Sequence, residues 1–224
     1  MTNTLHRYGD ANSFHDDYII FAIPSVGKND KDAIPKLKQF LTICAKHNPC
    51  NMGNGNRGSI APDKGLNPTA HWNRKSAPDW QTVIDEVKKP GTVAAVFTTK
   101  ADAEAAFKEV VESDFGISVN ISSSVDNARE VGKCSGVNRH SVEYALAFND
   151  PHDHLPNSQV LELSTMCGHG MVSFNMAKKM LEMVREGRRT SAQAAATLVR
   201  FCPCGVYNPQ RAKRLIESAC KVQR

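Results

Sequence analysis

Two short stretches concentrate the side chains best suited to chemistry. One is Thr165-Met166-Cys167-Gly168-His169-Gly170, and the other is Cys202-Pro203-Cys204-Gly205. Each puts two nitrogen or sulfur donors two residues apart, in a glycine-containing turn ahead of an expected helix. Unpaired N–H groups and the positive dipole end at a helix start favour a thiolate. Glycine permits the backbone angles such turns need. Two chelating pairs from separate segments can converge on one centre. Cys167, Cys202 and Cys204 with His169 make a tetrahedral zinc set. The three cysteines with an open fourth position equally suit an iron–sulfur cluster whose unique iron binds substrate. Two other readings stay open. One is a metal-free reactive thiol at Cys167. The other is that these are small buried residues flanking turns, as free cysteines often are.

The metal-free reading has a likeness behind it. Met166-Cys167-Gly168-His169-Gly170 resembles the cysteine loop of the proline racemase and diaminopimelate epimerase superfamily. The resemblance implies that Cys167 moves a proton at the carbon beside a carboxylate. It also implies that Gly168, His169 and Gly170 line the carboxylate site at a helix start. The likeness covers about five residues of the chain. That family needs a second cysteine, for which Cys134 and Cys204 are the nearest candidates.

Charge is unevenly placed. The net charge of +5 divides into +7 over residues 185–224 and −2 over the rest. The basic end suits an anionic small molecule or a phosphate backbone. No aromatic residues interleave with these charges to stack bases, so nucleic acid is not the favoured partner. Arg200 and Arg211 are the expected partners of a substrate carboxylate, because the guanidinium fork matches that group.

These groups need a scaffold. Strands are expected at Tyr18–Ile23, 92–98, 116–122, 142–148 and 159–163. Helices are expected at 32–47, 79–89, 101–113 and 125–133, each with an apolar stripe or a stop signal. Alternation of the two argues for a βαβ-type sheet, hence an α/β fold. Three further helices give a helical C-terminal third. Gly187 ends the first, Thr190 or Ser191 caps the second, and Asn208-Pro209 opens the third. The expected organisation is a flexible arm at 1–17, an α/β core at 18–164 with a long loop at 48–78, and a basic, cysteine-containing helical module at 165–224.

Hydrophobic residues make up 41% of 224, which argues against wholesale disorder. No apolar run approaches the roughly 20 residues of a membrane helix. The opening residues carry no basic-then-apolar signal pattern. The expectation is therefore a cytoplasmic chain whose seven cysteines are thiols or ligands. Gly53-Asn54-Gly55-Asn56-Arg57-Gly58 fits a dinucleotide fingerprint by letter, but it follows a helix instead of a strand and reads as a flexible loop. Asp150-Pro151-His152-Asp153-His154 reads as a polar turn, with His152 or His154 as a proton shuttle if it folds back on Cys167. His140 reads as a strand-edge residue. Cys44, Cys50 and Cys220 read as structural. Together these features lead to an expected enzyme of lyase or isomerase type, with a metal centre acting on a small carboxylate-bearing substrate. The alternatives are thiol acid/base catalysis, or a structural zinc module that binds nucleic acid or an acidic protein.

Overall fold

A computed structural model of the chain describes residues 6–55, 79–138, 154–202 and 204–221. In chain order the elements are β1 (Tyr18–Ile23), α1 (Ala33–Ala45), β2 (Asn51–Asn54), α2 (Trp80–Asp85), β3 (Val93–Phe97), α3 (Lys100–Glu112), β4 (Ser118–Ser122) and α4 (Val125–Cys134). The helices α5 (Ser158–Ser164), α6 (Phe174–Arg185), α7 (Ser191–Val199) and α8 (Pro209–Lys221) follow.

The sheet order is β2-β3-β1-β4, and every neighbouring pair is antiparallel. It follows that β1 and β2 run parallel with β3 between them, joined through α1. Likewise β3 and β4 run parallel with β1 between them, joined through α3. These are two interleaved split βαβ units, the ferredoxin-like arrangement. The expected α/β class and helical C-terminal third are both present. The βαβ rhythm is present too, with antiparallel neighbours inserted.

Side chains alternate across the sheet and feed two cores. On one face Tyr18, Ile20, Val93, Ala95 and Phe97 meet Leu37, Phe40 and Leu41 of α1, Val83 of α2, and Ala103, Ala106 and Phe107 of α3. On the other, Ile19, Phe21, Ala94 and Val96 meet Leu163 of α5, Ala177 and Leu181 of α6, Leu198 of α7, and Ala212 and Ile216 of α8. The C-terminal helices thus cover the second face, and the molecule has three layers. This explains why β1 is apolar at successive positions: a strand buried on both sides has no polar side. The helix starts are fixed locally. Side chains of Asp79, Thr99, Ser124, Asn157, Ser173 and Thr190 each accept a backbone N–H, and Thr190 forms a capping box with Gln193.

Three expectations change. The segment 159–163 is not a strand but lies in α5, where Val160, Leu161, Leu163 and Ser164 are buried at helical spacing. Five apolar-rich residues are too few to separate the two periods. The loop expected at 48–78 begins with a strand, β2, whose Asn-Met-Gly-Asn sequence carries none of the β-branched residues that mark strands. In the arm expected at 1–17, Phe14 and Asp17 are buried, while His6, Tyr8 and Asp10 are exposed. The strand expected at 142–148, His140 and His152 lie outside the described residues.

Candidate metal centre

Two loops form the site. The first leaves α5 and turns through Cys167-Gly168-His169-Gly170, where Gly168 (φ 73°) and Gly170 (φ 68°) take the left-handed conformation. The second leaves α7 and runs from Cys202 to Asn208, which opens α8: its side-chain oxygen accepts the N–H groups of Gln210 and Arg211. The second loop is docked on the sheet by β2. Asn51 donates its side-chain amide to the Tyr207 carbonyl at 2.7 Å. Gly53 lies against the Cys204–Gly205 backbone so closely that a methyl on either glycine would overlap the facing segment. Both β2 residues face the second core, in register with Val96 and Ala94.

The four predicted side chains meet. Cys202 Sγ and Cys204 Sγ are 3.7 Å apart, and Cys204 Sγ is 3.3 Å from His169 Nδ1. Cys167 contacts both Cys202 and His169. Cys167 and Cys202 are buried, whereas His169 and Cys204 are half-buried, so the group opens on one side. The Cys202 contact and burial push the Cys167 thiol well up, against the pull of His169. The Cys167 contact lowers Cys202, but the Cys204 contact and burial outweigh it, and this thiol is also pushed up. Both are therefore neutral thiols at ordinary pH. Among the described residues, no group of three or more His, Cys, Asp or Glu side chains is already set out to hold a metal ion. The quartet is linked by hydrogen bonds, and gathering around an ion needs side-chain rotation and loss of thiol protons.

Beside the quartet lies a buried ionic network. Arg211 is fully buried and donates to Asp17 at 2.8 Å, Glu162 at 3.2 Å and Ser13 Oγ at 3.1 Å. This corrects the expectation of Arg211 as a substrate ligand: its fork is occupied by protein carboxylates. Arg7 also pairs with Asp17. Both guanidiniums lie over the Phe14 ring, at 4.8 Å for Arg7 and 4.0 Å for Arg211. Arg214 holds Asp16 through two bonds of 2.7 Å. Two of the nine C-terminal basic residues, Arg211 and Arg214, are thus paired with acids near the N-terminus. Arg200, by contrast, is exposed.

The remaining candidates scatter. Cys134 is exposed on α4 and touches Glu104 of α3, on the side of the sheet away from Cys167. Cys44 lies in the first core, and burial pushes its thiol up. Cys50 donates to Asn208 Oδ1 at 3.5 Å, and burial pushes it up to about 12. Cys220 packs against the second core. His154 is exposed, and of the 53–58 stretch Gly53 and Asn54 lie in β2. Sequence reasoning missed Arg7, Asp17, Asn51 and Tyr207. The sequence holds only a coarse sign of the network, the acidic pair Asp16-Asp17 ahead of β1 in a chain whose far end is strongly basic, and nothing in it marks which arginine each acid takes.

Comparison of the chain with protein-family models, curated proteins and solved structures finds no match. Among the described residues no helix is long and apolar enough to cross a membrane.

Proposed function

We propose that Cys167, His169, Cys202 and Cys204 bind one zinc ion, and that this centre staples the two cysteine loops of the C-terminal helical layer together. The observation that carries this is the spacing of the donors. Tetrahedral zinc with three thiolates and an imidazole has sulfur–sulfur edges of about 3.8 Å and sulfur–nitrogen edges of about 3.5 Å. Two of the six edges, Cys202–Cys204 at 3.7 Å and Cys204–His169 at 3.3 Å, are close to these, and the rest would be set by rotation of the side chains. An iron–sulfur cubane puts each thiolate on a different iron, so its cysteine sulfurs stand farther apart than that. With four protein donors the centre is closed, which is the form of structural zinc sites. Binding would displace thiol protons, as zinc does when it takes protonated cysteines. Elemental analysis of anaerobically purified chain tests this. The expected result is about one zinc per chain, lost in Cys202→Ser. Brown protein with several irons per chain would overturn it.

The exposed edge favours a second reading, in which the centre is catalytic. Here Cys167, Cys202 and Cys204 would hold the metal, His169 would yield its place to a small carboxylate-bearing substrate, and the chemistry supplied would be Lewis-acid activation for a lyase or isomerase reaction. Arg200, exposed two residues before Cys202, would pair the anion. Cobalt(II)-loaded protein titrated with citrate separates the two readings. A change in the visible cobalt bands supports entry of the carboxylate, and an unchanged spectrum removes this second reading. A metal-free thiol base draws less support, since burial and neighbouring thiols keep Cys167 protonated.

A further inference from the structure

The three thiols of the quartet are not equally reachable. Cys167 and Cys202 are buried, and Cys204 is half-buried. A small oxidant arriving from solvent therefore meets Cys204 first. A second sulfur stands beside it on the same loop, Cys202 Sγ at 3.7 Å. Joining the two means shortening that gap to about 2.05 Å. Two residues of separation keep their Cα atoms within about 7 Å, at the reach of a disulfide. Gly53 pins the backbone of Cys204 and Gly205, so the closing motion falls to the side chains. Cys167 also touches Cys202, but it is buried and belongs to the other loop. Elsewhere, the exposed Cys134 meets a carboxylate, Glu104, and Cys50 meets an amide oxygen, that of Asn208.

We propose that Cys202 and Cys204 are a thiol–disulfide pair, a modification site that a hydroperoxide closes into a disulfide, emptying the zinc centre as it does so. The emptying rests on the zinc reading above, and the disulfide does not. Cys204 Sγ attacks one peroxide oxygen: an S–O bond forms, the O–O bond breaks, and the leaving oxygen departs as water with the thiol proton. Cys204 is then a sulfenic acid. Cys202 Sγ displaces its hydroxyl: an S–S bond forms, the S–O bond breaks, and a second water carries off the Cys202 proton. The two thiols together lose two electrons, and the peroxide is reduced to two waters. Where the sulfurs are already ligands without protons, solvent supplies the two protons instead. The disulfide leaves only Cys167 and His169 of the four donors, too few for a closed zinc site. Its position at the half-exposed edge leaves it open to reduction by a dithiol, which restores both thiols.

The test uses the full-length, zinc-loaded chain, kept from air and treated with one equivalent of hydrogen peroxide. Released zinc is read with a chromophoric chelator. Free thiols are then blocked with N-ethylmaleimide and the chain is digested with trypsin. Cleavage after Arg200 and Arg211 gives one peptide, 201–211, that carries both cysteines, with Cys167 in another. The expected result is an unlabelled 201–211 peptide lighter by two hydrogen atoms, about one zinc released per disulfide, and reversal of both by dithiothreitol. Labels on both cysteines of that peptide, or a bond from Cys167 to either, overturn the pair and leave the zinc centre standing. A disulfide that forms while zinc stays bound overturns the emptying. A chain that takes up no zinc overturns the emptying and the zinc reading together, while the same digest still decides the pair. In Cys202→Ser, peroxide should leave Cys204 as a sulfenic acid that dimedone labels, and no label there overturns Cys204 as the thiol attacked first.

Discussion

Cys167 and Cys202 illustrate how protonation links to metal and to stability. Both thiols are held neutral by burial and by each other's neighbours. Zinc must displace those protons, so its apparent affinity should climb with pH, by about tenfold per pH unit for each proton released. Chelator competition at several pH values between about 6 and 8 checks this, and a flat profile would mean that no thiol proton leaves. In excess chelator the sign reverses. The folded thiols keep their protons while those of the unfolded chain ionise, so stability should fall as pH rises past about 9. Urea unfolding at two alkaline pH values measures that slope. Arg211 is the other residue whose environment decides its role. Its removal leaves Asp17 buried with less compensation, so Arg211→Met should cost about 3–5 kcal/mol in urea unfolding. A residue reserved for substrate would cost little stability on mutation.

The element that decides the docking of the second cysteine loop is β2, a strand of four residues. Gly53 has no room for a methyl because the Cys204–Gly205 backbone occupies that space. Gly53→Ala must therefore push the loop away. It should destabilise the fold by about 1–3 kcal/mol, as overpacking does, and weaken zinc binding with it. Gly132 in α4 makes an opposite-sign control. A methyl there would stand 3.5 Å from the Val137 carbonyl, an ordinary contact. Gly132→Ala should stabilise by about 0.5–1 kcal/mol, read from the same unfolding curves. Thermal unfolding of the two variants side by side checks both signs.

The elements also show what could be read from the residues alone. α1, α3, α4 and the three last helices carry clear apolar stripes, most of them also capped, and each lies within a few residues of its expected place. β1 and β3 announce themselves as continuous apolar runs. β2 does not, because its Asn51 and Gly53 serve contacts with another segment and have no strand preference of their own. α5 is hidden for the reason that two buried turns of helix and a buried strand of similar length have the same apolar content. The meeting of Cys167, His169, Cys202 and Cys204 was legible from their types and spacing. The packing of Arg7 and Arg211 was not, since a charged residue carries no local mark of a partner 10 or 194 positions away.

On the scale of the whole molecule, the second face of the sheet is closed by helices that come last in the chain. A split βαβ sheet with that face open offers a surface on which bases can stack. Here Ile19, Phe21, Ala94 and Val96 are covered by α5 to α8. That closure takes this face of the sheet out of use as a base-stacking surface. The network that completes the closure joins Asp17 to Arg211 and Asp16 to Arg214, bonds that span 194 and 198 positions. A ribosome adding residues one by one must deliver 194 or more residues beyond these acids before either bond can form. Until then Ile19, Phe21, Ala94 and Val96 have no cover, so this sheet should reach its buried state only after α8 has been made.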